Sequence, residues 1–164
     1  DPFKSFSLFY KLTLRQIQEI FRIIGHLCSI LEKKNESLNV AYSAAILSMA
    51  IFRIADFDTY KCLGNKTISL EKIISIAKVM PSKDEQLWWF KLFWVGTCFE
   101  KDPNQNESII LEKNGLCPEL SPTEFSNQIN HFKMKELKNY FRSANIFQNI
   151  YKKIEYVQKW GTIN

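Results

Sequence analysis

The chain has 164 residues, of which 46% are apolar, and it carries 22 Lys and Arg against 17 Asp and Glu. A chain of this length and apolar content can bury a core without disulfides or metals, which excludes general disorder. It contains only five Gly and five Pro, and this scarcity favours long helices over a turn-rich β-sandwich.

The first twelve residues are rich in aromatic side chains and lack a helical period. We therefore predict that residues 1–12 form an extended connector that packs on the core. Thr13 then opens a helix, because Gln16 follows three residues later and completes a capping box. This helix should continue to about Lys34. Its apolar residues recur at intervals of three and four and form one face: Leu14, Ile17, Ile20, Phe21, Ile24, Leu27, Cys28 and Leu31.

The second predicted helix starts near Ser37 or Asn39 and continues to about Ala55. It is apolar nearly all round, which is typical of a helix buried on most sides. Its most apolar run, residues 40–52, is shorter than the roughly 20 residues that cross a bilayer, so we predict no membrane span. A loop over residues 56–60 should follow this helix.

Further start and stop signals lie in the middle of the chain. A turn is predicted at Gly64, and Ser69 caps a short helix that should end before Pro81, because the residue ahead of a proline avoids helical geometry. Ser82 and Glu85 form another capping box. The helix they open carries aromatic residues that we interpret as core rather than as stacking platforms for bases: Trp88, Trp89, Phe90, Phe93 and Trp94.

The last third begins with a predicted long loop over residues 100–120, which contains Pro, Asn and Gly. Ser121 and the proline after it start another helix, and two further helices should cover about 133–143 and 145–160. The sequence therefore predicts an all-α fold, an irregular bundle of about six to seven helices. We divide it into the connector, a lid-like helical subdomain and a C-terminal helical subdomain with a basic end, packed as one unit: 1–12, 13–80 and 81–164.

Residues 62–67, Cys-Leu-Gly-Asn-Lys-Thr, have some likeness to a phosphate-binding loop. That motif needs Gly directly before Lys-Thr and a second Gly five positions earlier. Asn65 and Tyr60 occupy those two positions. We therefore predict an ordinary surface turn before a helix.

Other reactive side chains show no catalytic or metal-binding spacing. His26 and His131 have no Cys or carboxylate neighbour at ligand spacing, so we predict that both are solvated. Asp56 and Asp58 are expected to cap the loop that contains them. The four cysteines are scattered, which favours a reducing cytoplasm: Cys28, Cys62, Cys98 and Cys117.

The positive charge is uneven. Residues 1–130 hold 15 basic and 15 acidic residues, whereas residues 131–164 hold seven basic and two acidic ones, a net +5. Nucleic acid or an acidic protein is therefore a possible partner of the C-terminal end, although a solvated amphipathic face also explains the pattern. The candidate contacts are Lys133, Lys135, Lys138, Arg142, Lys152, Lys153 and Lys159.

Arg15 stands in the first turn after the Thr13 cap and off the apolar face. Glu19 and Arg22 follow on nearly the same side of the helix. The simplest interpretation is a surface network of these three charges, with a few tenths of a kcal/mol per pair. A cation in the first turn is slightly unfavourable for the helix dipole, so a functional role for Arg15 is also open.

A longer segment carries a family resemblance. Residues 12–21, Leu-Thr-Leu-Arg-Gln-Ile-Gln-Glu-Ile-Phe, resemble the segment that closes the ATPase core of the KAP-family P-loop NTPases. Residues 54–60, Ile-Ala-Asp-Phe-Asp-Thr-Tyr, and residues 68–73, Ile-Ser-Leu-Glu-Lys-Ile, are similar to a turn and a short helix of the same family. The resemblance covers about residues 8–80.

This resemblance implies a helical lid that follows a P-loop core, with Arg15 at the place of the arginine that senses the nucleotide. ATP and Mg²⁺ are implied for a full-length protein with an upstream P-loop core. The chain itself lacks both the phosphate-binding loop and the acidic metal-binding motif, so we do not expect it to hydrolyse ATP alone. Bacterial members of the family resemble anti-phage defence proteins, which offers a context by analogy.

Two functions follow as expectations. The first is the lid and interaction region of such an NTPase, which couples nucleotide state to a partner within an oligomer or complex. The alternative is a stand-alone helical adaptor that binds protein or nucleic acid through its basic C-terminal third.

Overall fold

The computed structural model describes residues 2–33, 40–79, 94, 123, 127 and 146–161. The described residues form α-helices joined by turns and contain no strand, which confirms the all-α prediction. Six helices lie within the described residues: α1 (Pro2–Phe9), α2 (Leu14–Lys33), α3 (Val40–Ala55), α4 (Phe57–Gly64), α5 (Leu70–Lys78) and α6 (Ile146–Gly161). The predicted loop at 100–120 and the predicted helix at 133–143 lie outside the described residues, as does all of the tryptophan-rich helix except Trp94.

The N-terminus corrects the prediction of an extended connector over residues 1–12, because Pro2–Phe9 is the helix α1. Proline is well suited to the first helical position, where its missing N–H removes no intrahelical bond. Phe6 is fully buried, which anchors the helix. The aromatic content suggested a strand, but burial of a single face outweighs that weak propensity. The backbone N–H of Leu12 donates to the Ser7 carbonyl at 3.0 Å and closes the helix end.

Helix α2 begins with the predicted capping box. The Thr13 backbone N–H donates to the Gln16 Oε1 at 2.9 Å, and the Gln16 N–H donates to the Thr13 Oγ1 at 3.3 Å. The buried face consists of Ile20, Ile23, Leu27 and Leu31. Leu14 and Phe21 were expected on the apolar face, but they are 72% and 56% exposed.

Helix α3 is the buried helix that the sequence predicted. Ala45, Met49 and Ala50 have no exposed surface, and the helix packs against α2, α4 and α6. Ser48 is buried in the same helix, and its hydroxyl donates to the Ala44 carbonyl at 2.8 Å. The hydrogen-bonding need of this polar side chain is therefore met within α3.

Helix α4 corrects the predicted loop at residues 56–60. Asp56 is the N-cap, and its Oδ1 accepts from the Thr59 backbone N–H at 3.1 Å. Tyr60 and Leu63 are buried. We expected a capping role for Asp56, but the sequence did not show that the capped segment continues as a helix, because α4 is only eight residues long.

The chain forms two compact units. The first unit comprises residues 1–6 and 69–144, and the second unit comprises residues 7–68 and 145–164. The predicted division at residue 80 does not coincide with these units, because α6 packs against α3 and α4 in the second unit. None of the described helices is long and apolar enough to cross a membrane.

In the first unit, α5 has the predicted cap, since the Ser69 Oγ accepts from the Lys72 N–H at 3.3 Å. Ile73 and Ile76 are buried. Trp94 is fully buried, and its Nε1–H donates to the Ile73 carbonyl at 3.1 Å. The interpretation of the aromatic residues as core is therefore confirmed for Trp94.

Gly64 of α4 lies against the Tyr151 ring of α6. A Cβ at this position would lie within 2.8 Å of the Tyr151 ring. We expect Gly64→Ala to lower the free energy of unfolding by about 1–2 kcal/mol in a urea titration, because forced overpacking outweighs the better helix propensity of alanine. The control is Gly25→Ala in α2, where a Cβ meets nothing within 4 Å. That variant should be as stable as the parent chain or more stable, and equal losses in both would contradict the packing at Gly64.

Candidate functional site

One carboxylate joins three helices in the second unit. The Tyr60 hydroxyl of α4 donates to the Glu155 Oε1 of α6 at 2.9 Å. The Arg53 Nε of α3 lies 3.6 Å from the same oxygen. The Arg53 and Glu155 side chains are 23% and 36% exposed, so this ion pair is screened only in part.

Aromatic rings surround this ion pair. The guanidinium carbon of Arg53 lies 4.7 Å from the centroid of the Phe57 ring and 5.4 Å from that of Tyr60. The Tyr151 ring packs on Tyr60 with centroids 4.8 Å apart. Cation–π contacts of this kind add to the ion pair. Arg53 is the cation that these rings contact. The cluster therefore joins α3, α4 and α6.

A second phenol–carboxylate contact ties the start of the second unit to α4. The Tyr10 hydroxyl donates to the Asp56 Oδ2 at 3.2 Å, while the Asp56 Oδ1 caps α4. Burial, and then the charge of Asp56, raise the pKa of Tyr10 well above its usual value. Burial and the hydrogen bond to Glu155 raise the pKa of Tyr60 in the same way.

Because the pKa values of Tyr10 and Tyr60 are raised in the folded chain, we expect the chain to lose stability at alkaline pH. A phenol whose pKa is raised in the folded state contributes stability below its unfolded pKa, near 10, and that contribution is lost as the pH rises above this value. We expect a spectrophotometric titration to show Tyr10 and Tyr60 ionising only as the chain unfolds. Tyr10→Phe and Tyr60→Phe should each remove one late-titrating group, and an unchanged titration would contradict the assignment.

Beside this cluster, α4 and α6 each carry a lysine next to the contact between the two helices. Leu63 lies next to Gln148 and Tyr60 next to Glu155, so the two helices run antiparallel. Lys61 directly follows Tyr60, and Lys152 directly follows Tyr151. Both lysines therefore lie about 100° round their helices from the contact, on the same side of it.

Both lysines are exposed, and so are two neighbouring aromatic residues, Phe57 at 41% and Tyr156 at 61%. The Lys61 Nζ lies 4.6 Å from the centroid of the Phe57 ring. We call these four residues, Phe57, Lys61, Lys152 and Tyr156, the basic ridge.

The second unit has a higher ratio of basic to acidic residues than the whole chain, which has 22 to 17. Its described residues include ten Lys and Arg and five Asp and Glu, a net +5. Three of the five acids are held by contacts within the unit: Glu19 by Arg22, Asp56 by Tyr10, and Glu155 by Tyr60 and Arg53. The basic character therefore belongs to a compact unit rather than to the last 34 residues alone.

Of the seven candidate contacts predicted from the sequence, three lie within the described residues. Lys152 is exposed, whereas the Lys153 Nζ contacts the Tyr42 hydroxyl at 3.0 Å and lies 5.5 Å from that ring. Lys159 lies on α6. The other four, Lys133, Lys135, Lys138 and Arg142, lie outside the described residues. Sequence analysis did not select Lys61, although its spacing of four from Phe57 is a usable helical signal.

At Arg15 the predicted network of three charges reduces to a pair. Both oxygens of Glu19 accept from Arg22, at 2.9 Å from Nε and 2.6 Å from Nη2. These hydrogen bonds lower the pKa of the Glu19 carboxyl. Arg15 is exposed, and none of the described residues forms an ion pair with it.

The remaining candidates lie at exposed or partly buried positions. His26 is exposed, as predicted. Cys28 and Cys62 are both partly buried free thiols. Residues 62–67 contain the end of α4 and a turn, as expected for a surface turn. Within the described part of the chain, no three His, Cys, Asp or Glu side chains are grouped as metal ligands.

Comparisons with protein families, with curated proteins and with solved structures find no match to this chain.

Proposed function

We propose that this chain is a helical interaction module of a larger assembly, and that the basic ridge docks an acidic protein surface. The observation that carries the proposal is the occupation of Glu155 by Tyr60 and Arg53. This carboxylate would otherwise lie close enough along α6 to pair with Lys152. Because Glu155 is engaged by Tyr60 and Arg53, the ridge presents its lysines to solvent beside exposed aromatic rings.

Charge and aromatic surface together suit a protein partner. Exposed cations steer an acidic partner to the ridge, and Phe57 and Tyr156 supply apolar area of the type found at the centre of protein interfaces. Nucleic-acid binding usually relies on a longer row of phosphate contacts. Lys153, one of the candidate contacts predicted from the sequence, instead contacts the Tyr42 hydroxyl through its Nζ. Nucleic acid is therefore the alternative outcome of the test.

The test is a fluorescence-anisotropy titration of the whole chain with a labelled Glu- and Leu-rich peptide, and in parallel with a labelled single-stranded oligonucleotide. Reversal of both ridge lysines, Lys61→Glu with Lys152→Glu, should weaken peptide binding by about tenfold, since several charge pairs of a few tenths of a kcal/mol each become repulsive. The matched control reverses Lys78, an exposed lysine of the first unit, and should leave affinity unchanged.

Two results would overturn the proposal. One is peptide affinity that is indifferent to the double reversal. The other is binding of the oligonucleotide alone, with a steep salt dependence, which would mark the ridge as a nucleic-acid surface.

A second candidate function rests on Arg15 and on the resemblance to KAP-family NTPases. We propose that, within a longer polypeptide, this chain is the lid that couples nucleotide state to a partner. The supporting observation is that the carboxylate nearest along the helix, Glu19, is taken by Arg22. The exposed Arg15 guanidinium therefore fits a terminal phosphate as a cationic fork. An upstream P-loop core would hold the ATP and Mg²⁺.

The test of this candidate uses the polypeptide that contains such a core. Arg15→Ala should lower ATP turnover tenfold or more, because each 1.4 kcal/mol of lost transition-state stabilisation is about tenfold. Lys78→Ala, which removes an exposed cation elsewhere in the chain, is the control and should leave turnover nearly unchanged. Equal turnover in parent and Arg15→Ala, with an intact thermal transition, would return Arg15 to an ordinary surface residue.

A further inference from the structure

Helix α2 has an outward row of residues in addition to its buried face. Leu14, Gln18, Phe21, Gly25 and Glu32 follow one another at spacings of four, three, four and seven. These spacings place all five within about 60° on the helix surface. All are exposed, Leu14 at 72% and Phe21 at 56%. Two large apolar side chains thus lie in one line on the side of α2 away from its core.

Gly25 is the unusual member of this row. A glycine inside a helix costs about 1 kcal/mol relative to alanine. Close packing within the chain does not require it, because a Cβ at this position would meet nothing within 4 Å. A gap in the surface therefore lies one helical turn beyond the exposed Phe21 ring.

We infer that a second copy of this chain covers the row, with the two α2 helices antiparallel. A two-fold axis at the level of Ile23 places Phe21 of one copy opposite Gly25 of the other, since the two residues lie two positions before and two after Ile23. The same axis places Phe21 of the second copy opposite Gly25 of the first. A surface that carries a large exposed ring and a gap at equal distances from one point is self-complementary, as a two-fold interface requires.

The charges agree with the same axis. Arg15 lies eight positions before Ile23 and Glu32 lies nine positions after it, so each Arg15 comes near Glu32 of the other copy. The Arg22 residues of the two copies lie close to the axis, and each is already neutralised by its own Glu19. This antiparallel alignment therefore pairs opposite charges at both ends and leaves neutral pairs at the centre.

The expected association is weak and reversible. A helix of 20 residues is about 30 Å long, and contact along one such helix buries less surface than a standard interface. Pairing with a second copy is also a different use of Arg15 from nucleotide sensing. Dimerisation and ATP turnover report on these two uses separately.

Sedimentation velocity of the whole chain, from about micromolar to about millimolar concentration, tests the inference. The parent chain should pass from monomer to dimer across this range. Gly25→Leu should fold normally, because the space at its Cβ is open, and it should stay monomeric. The matched control Asn149→Leu, at an exposed site on α6, should dimerise like the parent.

Swapping the charges of Arg15 and Glu32 tests whether a second copy of the chain covers the row. Arg15→Glu alone should weaken dimerisation by about tenfold, and adding Glu32→Arg in the same chain should restore it, because the repulsive pair becomes attractive again. A parent chain that stays monomeric at every concentration would overturn the inference. Dimerisation of Gly25→Leu at parent strength, or a double variant as weak as Arg15→Glu, would overturn it as well.

Discussion

Replacing Ala45 with aspartate is expected to unfold the second unit. Ala45 has no exposed surface and lies in α3, which packs against α2, α4 and α6. A carboxylate at this position would be buried without a partner, at a cost of several kcal/mol even when it takes up a proton. Because a typical domain is stable by only about 5–15 kcal/mol, this loss removes most or all of the folded population.

Far-ultraviolet circular dichroism against temperature measures this effect directly. The control is Ser43→Asp, which introduces the same side chain at an exposed position two residues earlier in the same helix. Near the helix N-terminus this carboxylate is tolerated or slightly favourable. A cooperative melt for Ala45→Asp at the parent temperature would mean that α3 is not the central helix.

The second large effect is expected at Glu155. Glu155→Ala removes the acceptor of the Tyr60 hydroxyl and the counter-ion of Arg53. We expect the free energy of unfolding to fall by about 2–3 kcal/mol, because a partly buried cation and a buried phenol both lose their partner. The estimate lies below that for a fully buried pair, since the carboxylate is 36% exposed.

Conservative substitutions separate the charge from the hydrogen bond. Glu155→Gln keeps an oxygen that can accept from Tyr60, so its loss in a urea titration should be clearly smaller than that of Glu155→Ala. Tyr60→Phe combined with Glu155→Ala should show a loss smaller than the sum of the two single variants, because both remove the same hydrogen bond. Strict additivity would contradict the shared contact.

The sequence was most informative where a capping residue and an apolar period agree. The start of α2 at Thr13 and of α5 at Ser69 followed from side chains that accept backbone N–H groups, and these contacts are local in the chain. The errors at α1 and α4 have a common cause. Each helix is eight residues long, too short to display a period, and each is held by burial that depends on distant residues.

The candidate site could be predicted only in part for a related reason. Lys152 was recognisable from its charge. The contact between Tyr60 and Glu155 joins residues 95 positions apart, and no spacing rule reaches that distance. Without this contact the sequence could not show which acids are engaged within the unit, or that Lys61 and Lys152 lie on the same side of the contact between α4 and α6. The net charge was readable from the sequence, but its assignment to the second unit required the packing of α6.

The most direct test of the proposed docking surface is a nuclear magnetic resonance titration of the whole chain with the Glu- and Leu-rich peptide. The proposal predicts that the first and largest amide shifts fall at Phe57, Lys61, Lys152 and Tyr156. It also predicts that these shifts disappear when Lys61 and Lys152 are both changed to glutamate. Shifts confined to α5, or no shifts at a peptide excess, would contradict it.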